Sequence, residues 1–171
     1  MDSSEWIPVE KPPLQAGGQQ FLTGSGSEDR VSIRYFRHRD STAVIARVRF
    51  GIRTEGPPGH AHGGSISAVL DEAMGAAAWL AGYPVVTVEL SVRFRKKVPI
   101  GSEAVVETEL ESCSRRDVRM TGRLIDESTA KVFATATGRF YRVDPVRLGV
   151  PPEVLGNYGI RNLKNGVVAN P

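Results

Sequence analysis

Two neighbouring segments near the start of the chain alternate between apolar and polar residues. Over residues 31–38, one face carries Val31, Ile33 and Tyr35. Over residues 42–50, the inward positions are Val44, Ala46, Val48 and Phe50. Apolar residues at every second position indicate half-buried strands, and the polar sequence at positions 39–41 between them is typical of a turn. The pattern therefore predicts a β-hairpin.

Four later segments show the same alternation, which predicts strands over residues 85–95, 102–111, 118–125 and 130–142. In the first of them, the apolar face consists of the even positions Val86, Val88, Leu90, Val92 and Phe94. In the last, one face carries Val132, Ala134, Ala136 and Phe140. Because the connections between these strands are short, we expect them to pair antiparallel.

The two middle strands of this group carry opposite charges on their polar faces. The acidic positions are Glu103, Glu107, Glu109 and Glu111, and the basic positions are Arg119 and Arg123. Opposite charges on adjacent strands predict cross-strand ion pairs. In the last strand, Ala134, Ala136 and Gly138 are small enough for a helix to lie close against it.

A nearly uncharged segment separates the hairpin from the later strands. From residue 65 to residue 81, the only ionisable side chains are Asp71 and Glu72. A helix that is apolar on almost all sides is a buried helix. We expect it to begin at about Gly64 and end at Ala81, because Gly82 suits the position after a helix and Pro84 prevents continuation.

The predicted element order is β-β-α-β-β-β-β. One antiparallel sheet has one face to bury, and one apolar helix can fill its concave side, so the predicted class is α+β. Residues 29–143 form the predicted domain. Residues 1–28, rich in Pro, Gly, Ser and Gln without periodicity, are expected to form an extended arm, and residues 144–171 a C-terminal tail.

Composition narrows the functional classes. The chain has 171 residues and a net charge of +3, with no block of five like charges, so an anionic ligand suits it better than nucleic acid does. Its single cysteine, Cys113, excludes an intrachain disulfide. The start of the chain lacks a leader-like apolar region, and the longest apolar run, residues 73–81, is too short for a membrane span. We therefore expect a cytoplasmic protein.

The start of the predicted helix and its two acidic residues form a candidate active site. Gly63 and Gly64 let backbone N–H groups point outward where the helix dipole favours negative charge on a ligand. Asp71 lies about two turns further along, and a carboxylate on a buried helix is costly unless it is paired or used. Glu72 points about 100° away and is expected to lie at an interface or to pair with an arginine.

The two histidines before the helix predict no metal site. His60 and His62 would need a third ligand, and the only other histidine, His38, belongs to the distant hairpin. We expect the His62 side chain to hydrogen-bond within the loop and hold the amides of Gly63 and Gly64 in place. Direct proton transfer by His62 is the alternative.

These residues together resemble the hotdog-fold acyl-CoA thioesterases. Residues 55–64 read E-G-P-P-G-H-A-H-G-G, which is similar to the H-G-G branch of that superfamily. Three further features match: Asp71 nine residues after His62, Thr87 at the start of the following strand, and the basic turn at residues 95–97. The resemblance covers about residues 30–143 and implies a hotdog fold, in which an antiparallel sheet wraps one long central helix.

The resemblance also implies an activity, the hydrolysis of an acyl-CoA thioester at a dimer interface. Asp71 would act as general base or nucleophile, and Thr87 would orient the water or the carboxylate. The Gly64 N–H would stabilise the thioester oxygen when it becomes anionic, and Gly63 would belong to the same substrate-binding surface. The expected assembly is a homodimer or a dimer of dimers, and no cofactor is expected, since coenzyme A is part of the substrate.

The basic turn would contact the phosphates of coenzyme A through Arg95, Lys96 and Lys97. A solvated strand end is the alternative interpretation of these cations. Two other functions on the same fold stay open: a non-catalytic protein that binds acyl-CoA or acyl carriers, and a hydratase or dehydratase. A pure binder has no need of a buried carboxylate, so Asp71 favours the thioesterase. The acyl group is not specified by the sequence.

Overall fold

Seven antiparallel strands and one long helix make up the part of the chain that the computed structural model describes, namely residues 5–9, 22, 29–41, 43–151 and 155. The strands are β1 (Trp6–Pro8), β2 (Val31–His38), β3 (Val44–Phe50), β4 (Val85–Phe94), β5 (Glu103–Cys113), β6 (Asp117–Asp126) and β7 (Val132–Arg142). The helix, α1, spans Gly63–Leu80, and a short 3-10 turn, Ile52–Thr54, precedes it. The strand order in the sheet is β1-β2-β3-β5-β6-β7-β4.

The helix packs against one face of the sheet, as the apolar pattern predicts. α1 begins one residue earlier and ends one residue earlier than expected. Gly82 follows it with φ of 84°, the left-handed conformation that favours glycine after a helix. Met74 of α1 is fully buried, and a Cβ at either Gly122 or Gly138 would lie 3.2 Å from its side chain. Small residues in β6 and β7 therefore allow the close approach of the helix.

The predicted hairpin and the cross-strand charges are confirmed. In the β2–β3 pair, Val31, Ile33 and Tyr35 face Phe50, Val48 and Ala46, and all six are buried. In the β5–β6 pair, Arg123 Nε donates to Glu107 Oε2 at 3.1 Å. The α+β class and the order β-β-α-β-β-β-β hold from β2 onward, with the short strand β1 added before them.

One predicted face is wrong, because a β-bulge interrupts β4. Thr87 pairs with Phe140 and Glu89 with Arg139, so Val88 is the extra residue. Val85 and Thr87 face the helix side before the bulge, and the even positions do so only after it, where Leu90, Val92 and Phe94 lie opposite Gly138, Ala136 and Ala134. Val86 and Val88 are instead exposed. Strict alternation cannot continue through an inserted residue.

The predicted face of β7 is also wrong at Val132, because a β-bulge interrupts this strand. Leu124 pairs with Ala134 but Ile125 pairs with Val132, so Phe133 is the extra residue. Val132 therefore lies on the opposite face from Ala134. Strand β1 was also not predicted: it lies within the expected arm, where Trp6 pairs with His38 in β2. Most of the predicted arm, 1–28, and tail, 144–171, falls outside the described residues.

Candidate active site

The loop before α1 is held by backbone hydrogen bonds on two sides. The His62 N–H donates to Thr54 O at 2.7 Å, and the Ala61 N–H donates to Val98 O at 2.9 Å. The Ile100 N–H donates to Gly59 O at 2.9 Å. The segment that follows the basic turn therefore runs alongside the segment that leads into the helix. These contacts fix where the first turn of α1 points.

His62 caps the helix with both its backbone and its side chain. The Ser65 N–H donates to His62 O at 3.0 Å, and the Gly64 N–H donates to His62 Nδ1 at 2.9 Å. Since Nδ1 accepts this bond, the proton of the neutral ring lies on Nε2. The expectation that His62 holds the amide of Gly64 agrees with this geometry. A Cβ at Gly64 would approach Nδ1 to 3.0 Å, so this close cap favours glycine there.

Asp71 and Thr87 come together between the helix and β4. Thr87 Oγ1 donates to Asp71 Oδ1 at 2.8 Å. Burial raises the pKa of Asp71 above its usual range, and the hydrogen bond from Thr87 partly offsets this. The bulge at Val88 is what allows the contact, because Val85 and Thr87 face the helix side only in the register before it. The sequence expectation of an Asp71–Thr87 pair thus has a structural basis in an irregular strand.

The second carboxylate of the helix faces a different strand. Burial raises the pKa of Glu72, the charge of Asp71 raises it further, and the neighbouring Tyr35 hydroxyl lowers it. Tyr35 is buried, and its hydroxyl has no partner of good hydrogen-bond geometry among the described residues. Burial and the Glu72 charge both raise the Tyr35 pKa. No arginine forms an ion pair with Glu72 in the described part of the chain, so the expected arginine partner is not found, and the alternative, a position at an interface, stays a prediction.

The basic turn lies next to the helix start. The N–H groups of Arg95 and Lys96 both donate to Phe133 O, at 2.8 and 3.0 Å, so the β7 bulge anchors the turn. Within the described residues, neither these two side chains nor Lys97 forms an ion pair, and all three are exposed. Uncompensated, accessible cations beside a candidate thioester site are suited to an anionic ligand.

The described residues contain neither a cluster of metal ligands nor a helix that could span a membrane. No group of three or more His, Cys, Asp or Glu side chains there is arranged to hold a metal ion. His38 lies 3.8 Å from Glu5 in the hairpin region, and Cys113 is exposed near Tyr83. None of the helices in these segments has the length and hydropathy that a membrane span requires.

Two further residues lie near the site, and the sequence pattern does not assign them to it. The alternation places Tyr35 in the core, and its polar hydroxyl on an otherwise apolar strand face is the sequence feature that indicates a polar neighbour such as Glu72. The alternation predicts a buried Phe94, yet Phe94 lies at the end of β4 beside Gly63 and is half exposed. Its position directly before the basic turn was the signal that links it to the site.

The comparisons with known proteins agree with this geometry. The thioesterase superfamily model matches residues 58–133, which span the helix, Asp71 and Thr87. Acyl-coenzyme A thioesterase THEM5 of Mus musculus is 31% identical over 122 residues, or 71% of this chain and 48% of that protein. Acyl-coenzyme A thioesterase THEM4 of Bos taurus is 30% identical over 131 residues, or 74% and 53%. The chain belongs to the hotdog-fold thioesterase superfamily.

The chain spans about half the length of these two thioesterase relatives. Among solved structures, a hypothetical thioesterase protein with coenzyme A from Streptococcus pneumoniae superposes with a TM-score of 0.59. The match covers 67% of this chain and 86% of that chain at 17% identity. This likeness is one of fold, and it agrees with the hotdog arrangement of one sheet around one helix.

Proposed function

We propose that this protein hydrolyses an acyl-CoA thioester to a free acid and coenzyme A. The observation that carries the proposal is the half-buried Asp71 carboxylate, which accepts a hydrogen bond from Thr87 and has a raised pKa. A base is most effective when its pKa lies nearer the working pH than that of a free carboxylate. The relatives named as acyl-coenzyme A thioesterases support the substrate class.

The proposed chemistry uses Asp71 as the general base. Asp71 takes a proton from water as the water oxygen attacks the thioester carbonyl carbon, and negative charge moves to the carbonyl oxygen. The carbon–sulfur bond then breaks, and the departing sulfur takes the proton from Asp71. Thr87 orients the carboxylate. The reaction needs no cofactor, since coenzyme A enters only as part of the substrate.

The proposed oxyanion donor is the Gly64 N–H at the start of α1, where the helix dipole favours negative charge. One such donor contributes about 3 kcal/mol to transition-state stabilisation. In the structure this N–H donates to His62 Nδ1, so we expect the imidazole to turn away when the thioester oxygen arrives. Gly63, whose N–H has no acceptor in the described residues, lies directly beside it and contributes to the same substrate-binding surface.

The distance between Gly64 and Asp71 along the helix supports a site that is shared between two copies of the chain. Gly64 and Asp71 are seven residues apart, which corresponds to about 10 Å along a helix axis. An oxyanion donor and a base must both lie about 3 Å from the reacting atoms. Residues of two subunits meet this condition without spanning the length of one helix. We therefore propose that Gly64 of one subunit acts with Asp71 and Thr87 of another.

The edge of the sheet offers the surface for this pairing. β4 is a terminal strand of the described sheet, ten residues long, with exposed Val86 and Val88. A long apolar edge strand is prone to pair with another chain. In a two-fold antiparallel pair, the start of one strand lies beside the end of the other. Thr87 of one subunit would thus approach the Phe94 end of its partner, next to the helix start.

The direct test measures release of free coenzyme A from a panel of acyl-CoA esters. We expect turnover of at least one ester by the wild-type protein and loss of turnover in Asp71→Asn, with the dimer retained in light scattering. Binding of the esters without release would support a non-catalytic binder instead. Hydration of an enoyl-CoA without release of coenzyme A would support a hydratase.

A labelling experiment separates the two roles of Asp71. In a single turnover in ¹⁸O-labelled water, a general base leaves the Asp71 carboxylate unlabelled and all the label enters the acid product. A nucleophilic carboxylate forms an anhydride, and its hydrolysis by attack at the aspartyl carbonyl places label in Asp71. Mass spectrometry of the peptide that contains Asp71 measures the difference.

A further inference from the structure

Phe94 is an apolar side chain that packing within one subunit leaves partly exposed. It is the last residue of β4 and lies on the helix side of the strand, opposite the buried Ala134. It nevertheless remains 52% exposed. An exposed phenyl ring of this kind leaves apolar area that a ligand could remove from water.

The ring lies against the start of the helix. A Cβ added to Gly63 would meet Phe94 Cζ at 3.4 Å and Cε1 at 3.6 Å, which are ordinary contact distances. The ring therefore stands beside Gly63 in the first turn of the helix. It also immediately precedes Arg95 in the chain. Phe94 thus lies between the helix start and the exposed cations of the basic turn.

Both sides of Phe94 have a role in the proposed function, on which this inference rests. If the thioester lies at the helix start and the nucleotide phosphates lie at the basic turn, the pantetheine arm must cross the space between them. That arm carries a geminal dimethyl group and methylene segments, which gain from contact with an aromatic face. The Phe94 ring is the exposed apolar surface on this path.

We propose that Phe94 is a specificity-determining residue that holds the pantetheine arm of the substrate against the helix start. The ring supplies apolar contact, and the cations at 95–97 supply charge. The two contributions act on different parts of coenzyme A, so they can be separated with two ligands. Adenosine 3′,5′-bisphosphate keeps the nucleotide phosphates and lacks the arm, whereas coenzyme A has both.

The experiment measures the dissociation constants of both ligands by calorimetry. Phe94→Ala should weaken coenzyme A binding about tenfold, as expected for truncation of a contacting aromatic residue, and leave adenosine 3′,5′-bisphosphate binding unchanged. Phe94→Leu, which keeps apolar area, should show a smaller loss. The double variant Lys96→Ala, Lys97→Ala should weaken both ligands, and added salt should reduce the difference from wild type because it screens exposed charges.

Leu148→Ala is the matched control, since Leu148 is 50% exposed and lies on the turn after β7 rather than at the end of β4. It should bind both ligands as the wild type does, and melting curves check that every variant is folded. Unchanged coenzyme A affinity in Phe94→Ala, or equal losses for both ligands, would overturn the role of the ring while leaving the thioesterase intact. Wild-type protein that binds neither ligand would instead remove the proposed function and the inference together.

Discussion

The polar groups at the start and in the middle of helix α1 differ in how well hydrogen bonds replace the water that they lose on folding. At the start, the carbonyl of His62 accepts from Ser65 and its ring accepts from Gly64, so both of these amides are bonded to the neighbouring cap residue. In the middle, Asp71 and Glu72 are half buried, and burial raises the pKa of both. The first region is stabilised by local bonds, whereas the second carries a desolvated pair of acids.

This contrast distinguishes the part of the helix that stabilises the fold from the part that destabilises it. A satisfied cap favours the folded state, and a carboxylate that has lost water disfavours it when charged. Groups with pKa values perturbed by burial are frequent at catalytic sites. The two acids in the middle of the helix therefore need a functional explanation. The hydrogen bonds at the start of the helix are explained by stability alone.

Replacement of Asp71 should give the largest effect and should separate function from stability. Asp71→Asn removes the proposed base, and we expect turnover to fall by a factor of about 100 or more. The same change should raise the melting temperature at pH 7. Because burial raises the folded-state pKa, the ionised carboxylate destabilises the fold above the usual aspartate range, and asparagine carries no charge.

The sign of this stability effect depends on pH. For a folded pKa raised above the unfolded one, the stabilising contribution is complete below the unfolded pKa and is lost as pH rises to the folded pKa. The advantage of Asp71→Asn in melting temperature should therefore shrink as the pH falls from the raised folded pKa to the usual aspartate range, and it should be absent below that range. A variant that melts below the wild type at pH 7 would show that the carboxylate is not a burden on the fold.

Thr87 offers a finer test of the same region. In the wild type, the hydrogen bond from Thr87 lowers the pKa of Asp71. Thr87→Val removes this bond, so the Asp71 pKa should rise further. The acidic limb of the pH–rate profile should then move to higher pH. We expect turnover to fall about tenfold, since a hydrogen bond to a charged group contributes about 1.5 kcal/mol.

Thr87→Ser is the matched control for this prediction, because it keeps the hydroxyl donor and loses only a methyl group. Its pH–rate profile should follow that of the wild type. If the valine and serine variants shifted the acidic limb equally, the hydroxyl would not be what sets the ionisation of Asp71.

The regular parts of this fold were predictable from sequence, since periodicity reports directly which face is buried. The β2–β3 hairpin and the helix follow from alternation and from the absence of charge between residues 65 and 81. The bulges at Val88 and Phe133 were not predictable. Each bulge inserts one residue into a strand whose composition still alternates. The free-energy cost of the bulge depends on contacts with β7 or β6 rather than on local propensity.

The candidate site was predictable in its residues more than in its geometry. His62, Asp71 and Thr87 follow from a motif and its spacing, and the structure brings the last two together. The spacing does not reveal that the Gly64 N–H is already bonded to His62, because a side-chain rotamer decides it. Nor does it reveal the Glu72–Tyr35 contact, which joins elements 37 positions apart in the sequence (72 − 35).

The smallest expected effect tests the helix start. His62→Ala removes the acceptor for the Gly64 N–H, and loss of a side-chain cap costs about 1 kcal/mol of unfolding free energy. Urea denaturation measures it. His60→Ala is the control: His60 Nδ1 donates to Pro58 O at 2.8 Å in an exposed loop and caps no helix, so its loss should cost less than about 0.5 kcal/mol. Equal costs would mean that His62 stabilises the loop rather than the helix, and the contrast between the two regions of α1 would weaken.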